Sequence, residues 1–336
     1  MPNIHTRPPW WIPHLRPTDE AIFLNRRRFM ASLGIGGAAL IGGIAGCDRS
    51  SDADTTRAPT TGPAASGSPT TTQADALTAK RNEKYRLDRK ITKVGAVTRY
   101  VNYYEFSASN KPLAVRLAQN LTIASWTISI TGLVAKPRTF DIDDLKKRFS
   151  LEERLYRHRC VETWAMALPW IGFPLRKLIK LVEPLSAARF VRFVSFMRPE
   201  EAPGQEPGSG YPWPYHEGLR MDEANSEPAF LAIGAYGRRL TKQNGAPIRL
   251  VTPWKYGYKS IKAIVEMQFV DNQPPTFWNT VNAREYGFYS NVDPAVPHPR
   301  WSQAKEWMID GGRLNKRDTL PYNGYGELVA SMYAKR

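Results

Sequence analysis

Cysteine is nearly missing from this chain: 336 residues hold only Cys47 and Cys160. No CxxC pair and no HExxH is present, which removes dithiol redox motifs and the common zinc-protease pattern. There is no GxGxxG and no phosphate-binding P-loop sequence, so the usual nucleotide fingerprints are absent. Serine-hydrolase chemistry has no GxSxG to support it. No internal repeat is visible. Aromatic and basic residues form no RNA-binding signature, and nucleic acid is not an expected partner.

Negative charge is also in short supply. The formal net charge is +16. Five arginines against Asp19 and Glu20 give residues 1–46 a net +3, which leaves +13 on the rest. A basic body suits an anionic lipid surface or an anionic cofactor.

Residues 25–46 read NRRRFMASLGIGGAALIGGIAG. A basic cluster precedes a glycine-rich, uncharged run that is marginal for spanning a bilayer. The pattern reads as an export signal, and Arg26-Arg27-x-Phe29-Met30 resembles the twin-arginine type, which carries folded cargo. Ile44-Ala45-Gly46-Cys47 resembles a lipobox, predicting a lipid tether at Cys47. Residues 47–80 are rich in Ser, Thr, Pro and Ala and read as a disordered linker. Its end-to-end distance would be about 30 Å.

From residue 81 the composition is that of one packed domain. Strands are expected at WTISITGLV from Trp126, ARFVRFVSF from Ala188, PIRLVTP and IKAIVEMQFV. DIDDLKKRF has an acidic first turn and a basic last turn, a short-helix pattern. FPLRKLIKLV puts Leu175, Leu178, Ile179 and Val182 on one helical face. Irregular alternation of short strands and helices predicts a mixed α+β domain.

With Cys47 assigned to the lipid, Cys160 is an unpaired thiol in an exported protein. Arg157 and Arg159 beside it favour a thiolate, and Glu162 opposes this. A thiolate is a soft ligand for a transition metal. His158, His216 and His298 match no metal spacing and read as surface or hydrogen-bonding histidines. His158, two residues from the thiol, falls short of a cysteine-hydrolase pair because catalytic partners usually meet through the fold. A second cluster, QNGAPIRLVTPWKYGYKSIKAI, sets Arg249, Lys255, Lys259 and Lys262 among Trp254, Tyr256, Tyr258 and Ile261. Cations suit a phosphate and aromatics a heterocycle, so one phosphate-bearing ring system would use both.

RCVETWAMALPWIGFPL resembles the cysteine segment of the sulfite-oxidase-fold molybdopterin enzymes, and NGAPIRLVTPWKYGYKSIK their pterin-binding segment. YYEF, EYGFYSNVDP and HPRWSQA narrow the likeness to the catalytic subunits of bacterial periplasmic protein-methionine-sulfoxide reductases. The likeness covers nearly all of residues 90–330. It implies one molybdenum held by one molybdopterin dithiolene and one cysteine, with Cys160 in that position. It further implies cofactor contacts from Asn102, Tyr104, Glu105, Ser195 (where the family usually has threonine), Asn244, Arg249, Ser260, Ile261 and Lys262, and proton handling by Glu162. The activity it implies is oxygen-atom transfer from methionine sulfoxide, with electrons from a haem-bearing membrane subunit. Oxidation of sulfite is the alternative chemistry, and a non-catalytic surface lipoprotein the alternative of another class.

Overall fold

The computed structural model describes residues 75–334. The twin-arginine leader, the lipobox at Cys47 and the linker up to residue 74 lie outside the described residues. Among the described residues, no helix is long and apolar enough to cross a membrane.

Two sheets carry the fold. The larger has a path through Lys80–Arg81, Glu152–Arg159, Trp164–Pro174, Lys305–Met308 and Lys316–Asp318. Strand Phe230–Ala235 joins it along Trp164–Pro174 and carries Arg238–Arg239 and Arg249–Val251. The smaller sheet runs Arg138–Asp141, Thr127–Gly132, Ile264–Val270, Phe190–Ser195 and His216–Arg220. Parallel and antiparallel pairs mix in both, the α+β arrangement that the pattern predicts.

The four expected strands appear at Thr127–Gly132, Phe190–Ser195, Arg249–Val251 and Ile264–Val270. Both expected helices form as well. Ile142–Arg148 is capped by Asp141, whose carboxylate accepts the Asp143 N–H at 2.7 Å, satisfying one of the amides that a helix start leaves free. Leu175–Val182 buries Leu175, Leu178, Ile179 and Val182, the face its spacing predicts.

The central strand, Trp164–Pro174, is buried at every position. It is paired along both edges, by Glu152–Arg159 and by Phe230–Ala235, and the side chains on both of its faces are buried, so its sequence shows no alternation. Gly172 sits at a register shift in the second pairing. A Cβ there would lie 2.0 Å from the Leu231 carbonyl oxygen, so only glycine allows the two strands to close.

One expected boundary moves. The linker end at residue 80 is too late, because Ala76 bridges to Arg238 and the Leu77 N–H donates to the Gly237 carbonyl at 2.9 Å. The polar, small residues before them read as linker, yet Leu77 adds a side chain packed on the core to this backbone pairing.

Candidate active site

Cys160 lies in the tight turn between strands Glu152–Arg159 and Trp164–Pro174. Its N–H donates to the Trp164 carbonyl at 2.9 Å, and its own carbonyl accepts from the Thr163 N–H at 3.0 Å. Thr163 takes φ 72°, a costly conformation for a β-branched residue and a sign of local strain beside the thiol. The sulfur receives the Glu162 N–H at 3.4 Å and faces the Asn102 side-chain amide at 3.9 Å. The Glu162 carboxylate accepts from the Trp164 indole at 3.0 Å and from Lys111 at 3.2 Å. Lys111 also donates to the Asn102 side-chain oxygen.

The flanking arginines do not create a thiolate, contrary to the sequence expectation. Burial pushes the Cys160 thiol up to about 12, with the Glu162 charge adding to the effect, against a smaller pull from the Glu162 N–H, Lys111 and Arg159. Arg157 turns away to Asp88 at 3.0 Å and the Asn323 carbonyl at 3.2 Å. Arg159 is fully buried and committed to Glu306 at 3.2 Å and to the Gln303 side chain at 2.9 Å. Ionisation of this thiol therefore calls for a cation at the sulfur itself, which a coordinated metal supplies.

The thiol opens onto a cavity of about 640 Å³, within the range of cofactor sites. Asn102, Tyr104, Glu105, Cys160, Glu162, Asn244, Arg249, Ser260, Ile261 and Lys262 all line it. Arg249 is buried and donates to the carbonyls of Asn244 and Ser260, each at 2.9 Å. Lys262 donates to the Asn102 carbonyl at 2.6 Å and stands 4.1 Å above the Tyr103 ring. Neither cation forms an ion pair among the described residues. Burial lowers Arg249 to about 10; burial and the Arg249 charge push Lys262 down, and burial pushes Glu105 up. The Tyr103 hydroxyl and the Trp170 indole N–H also line the cavity and lack a hydrogen-bond partner. Glu105 offsets part of the Lys262 charge across the cavity wall without reaching ion-pair distance. Basic side chains without a direct carboxylate contact, together with orphaned donors, fit an anionic, hydrogen-bonding ligand such as a phosphate-bearing pterin.

Three sequence expectations are corrected here. Ser195 does not line the cavity. Its hydroxyl donates to the carbonyls of Lys262 and Ala263, at 2.9 and 3.1 Å, so it braces from behind the loop that carries Lys262. Lys255 and Lys259 leave the proposed phosphate cluster because each is buried against a carboxylate, Lys255 with Glu223 at 2.6 Å and Lys259 with Glu217 at 2.5 Å. His158 is not a surface residue: it lines the cavity, packed so closely on Gly257 that a Cβ there would meet its ring at 2.5 Å. Burial, with Arg249 and Lys262 nearby, lowers His158 to about 3, so its ring is neutral.

Sequence reading missed the support behind the thiol. The Trp301 indole and the Gln303 amide donate to the Val161 carbonyl at 2.7 and 2.9 Å. Gln303 and Glu306 also hold Arg159, and Glu306 is paired with Arg89 at 2.5 Å. HPRWSQA therefore clamps the cysteine turn from near the end of the chain. Residues 300–307 read RWSQAKEW, and nothing in that local pattern marks Gln303 and Glu306 as buried.

A family model described as oxidoreductase molybdopterin binding domain matches residues 114–278. A protein-methionine-sulfoxide reductase catalytic subunit, MsrP, from Burkholderia mallei is 48% identical over 324 residues, covering 96% of this chain and 93% of that one. The chain belongs to this family. Among solved structures, the sulfane dehydrogenase SoxCD of Paracoccus pantotrophus aligns with 20% identity over 45% of this chain and 40% of that one, at a TM-score of 0.38. The family's matched domain includes Cys160, Arg249 and Lys262, while the clamp at 301–306 lies beyond it.

Proposed function

We propose that this protein is a molybdopterin-dependent reductase of methionine sulfoxide, free and in proteins. The observation that carries it is a lone buried thiol at the edge of a cavity whose inner wall holds two buried basic side chains, Arg249 and Lys262, with no carboxylate in ion-pair contact. Among the described residues no group of three His, Cys, Asp or Glu could hold an ion. One cysteine does not make a metal site, so the other ligands must arrive with the metal, as a dithiolene provides.

Cys160 would bind the molybdenum. Arg249 and Lys262 would take the phosphate, while Asn102, Asn244, Ser260 and Ile261 would hold the pterin and Ser195 would fix the loop that presents Lys262. When bound, the cofactor supplies a two-electron centre able to accept an oxygen atom from a sulfoxide. The sum is one sulfoxide, two electrons and two protons giving a thioether and water, the repair of a reversible lesion. Glu162, kept anionic by Lys111 and the Trp164 N–H despite its burial, moves protons between water and the reacting oxygen. Asn102, joined to Glu162 through the shared Lys111, orients the thiol with its amide.

Sulfite oxidation would need free cations at the cavity mouth. Arg300 there is engaged by Glu285 at 2.7 Å, whereas Arg313, which also lines the cavity, forms no ion pair among the described residues and lies over the Trp307 ring. Arg313 is the side chain that would serve an anion, and turnover of sulfite against methionine sulfoxide separates the two readings. The sequence also supports export by the twin-arginine route, a tether at Cys47 in the periplasm and electron delivery from a haem-bearing membrane subunit. A tether would raise the local concentration of that donor.

Cys160→Ser tests the assignment. Purified wild type should contain molybdenum and reduce methionine sulfoxide with an artificial donor, and the variant should lose both. A variant that retains activity refutes Cys160 as ligand, and wild type that turns over sulfite alone refutes the substrate. Mass spectrometry of the mature N-terminus tests the lipid at Cys47, which an unacylated terminus would refute.

A further inference from the structure

The cavity has two chemically different halves. Its inner wall is cationic and donor-rich, as described above. Its mouth is aromatic: Tyr104, Trp278, Tyr286 and Trp301 all line it, each half-buried. The rings form a continuous arc. Tyr104 meets Trp278 edge-on at 4.9 Å, and Trp278 meets Tyr286 at 5.1 Å. Tyr286 meets His298 at 5.7 Å, and His298 is stacked on Trp301 at 3.9 Å. Trp301 is fixed from below by its bond to the Val161 carbonyl, one residue from the thiol. The arc and Cys160 are thus parts of one rigid frame.

We propose that Trp278 and Tyr286, with Tyr104 beside them, form a subsite for the Cγ–Sδ–Cε end of a methionine sulfoxide side chain, while Trp301, stacked on His298 and with Arg300 4.8 Å over its ring, closes the end of the arc. This rests on the methionine sulfoxide reading above and assigns the residues that recognise the substrate. A sulfoxide bond is strongly polarised, with positive sulfur and negative oxygen. Aromatic faces carry negative charge density, so they attract the sulfur and its methyl groups and repel the oxygen. An arc of such faces at the mouth turns the oxygen inward, toward Cys160 and the donors around it. Reduction removes the polarisation. The thioether product keeps only the weaker sulfur–aromatic contact and leaves more readily than the substrate binds. An anionic substrate would meet repulsion from the same faces.

The test uses holoenzyme with a reduced viologen as donor, comparing Trp278→Leu and Trp278→Phe with wild type at matched molybdenum content. Leucine keeps apolar volume without a π face, whereas phenylalanine keeps a weaker face. Trp278→Leu should raise KM for methionine sulfoxide about tenfold and Trp278→Phe about threefold, the scale of a desolvated cation–π contact, with the loss in kcat/KM falling on KM. The inhibition constant of methionine, the product, should move by less than about twofold, since its sulfur lacks the polarisation the face recognises. Tryptophan fluorescence titrations with methionine sulfoxide should give the same ranking without turnover. The proposal is overturned if leucine and phenylalanine behave alike, or if substrate and product weaken together. Tyr286→Leu, expected to act in the same direction, replaces Trp278→Leu should that variant fail to fold. Wild type that neither binds nor reduces methionine sulfoxide would instead overturn the functional reading, a result distinct from any ranking among the variants.

Discussion

One stretch of chain, residues 249–262, holds four cations that meet two different fates. Lys255 and Lys259 are fully buried, and each has a carboxylate within 2.6 Å, from Glu223 and Glu217. Arg249 and Lys262 donate to backbone carbonyls and face a cavity. Lys255 ties the fold to its C-terminal segment, since Tyr333 also donates to Glu223, and Lys259 holds strand His216–Arg220 through Glu217 and the Gly218 carbonyl. The second two keep charge in reserve for something the chain itself does not contain. A buried cation without a counter-charge is expensive, and its retention at a cavity wall marks a ligand site more clearly than a count of lysines.

Replacing each kind of cation should break the comparison in opposite ways. Arg249→Met should lower the pterin content of purified protein by about tenfold or more, the loss of charge-assisted hydrogen bonds to an anion. Its melting temperature before cofactor insertion should fall by less than that of Lys255→Met, because removal of the buried charge offsets the lost bonds to the Asn244 and Ser260 carbonyls. Pterin content equal to wild type would show that Arg249 serves the fold instead. Lys255→Met should do the reverse and cost about 3–5 kcal/mol of stability by leaving Glu223 buried and unpaired. The protein that remains folded should keep its cofactor, measured as pterin per molecule.

The pair itself can be dissected. Lys255→Met combined with Glu223→Leu should recover most of the stability lost by the single variant, because neither buried charge remains. Denaturation of the single and double variants decides this, and strict additivity would contradict the ion-pair account. The pH dependence follows from the same pair. Despite burial, Lys255 and the bonds around it hold Glu223 below the ordinary carboxylate range, so its contribution is present above that range and is lost as pH falls through the folded value. Without Lys255 the carboxyl is raised, so the penalty is present near neutrality and relieved by acid. The stability gap between Lys255→Met and wild type should therefore narrow from pH 8 to pH 5.

The smallest expected effect concerns the clamp. Glu306 binds both Arg89 and Arg159 and acts on the thiol only through the turn it supports, as a positioning residue. Glu306→Gln should shift the electron paramagnetic resonance of the Mo(V) state and lower activity by a few-fold, about 1 kcal/mol of transition-state positioning. Glu306→Asp should restore part of the wild-type signal. A signal unchanged in Glu306→Gln would leave the clamp no role in metal geometry.

Much of the fold was legible where one face of an element is wet. Thr127–Gly132 and Leu175–Val182 alternate or repeat because one side is packed and the other is not. Trp164–Pro174 was not legible because it is buried on both faces and its pattern carries no period. The site divides in the same manner. Cys160, Arg249 and Lys262 were named from local sequence and meet at one cavity. The fate of Lys255 was hidden because its partner Glu223 lies 32 residues away. Gln303 and Glu306 were hidden for the same reason, since Gln303 reaches Arg159 across 144 residues. Local chemistry states what a side chain can do, whereas the pairing of buried charges depends on contacts that only the folded chain makes.

The clamp has a consequence for the order in which the site is built. The nascent chain presents Cys160 first, then the cations at 249–262, and last the Trp301, Gln303 and Glu306 side chains that hold the cysteine turn. Until that final segment has left the ribosome, the turn lacks the bonds that fix Val161 and Arg159. The turn is therefore fixed only once residues 301–306 have been made, and a chain ending before them would carry Cys160, Arg249 and Lys262 without the bonds that hold Val161 and Arg159.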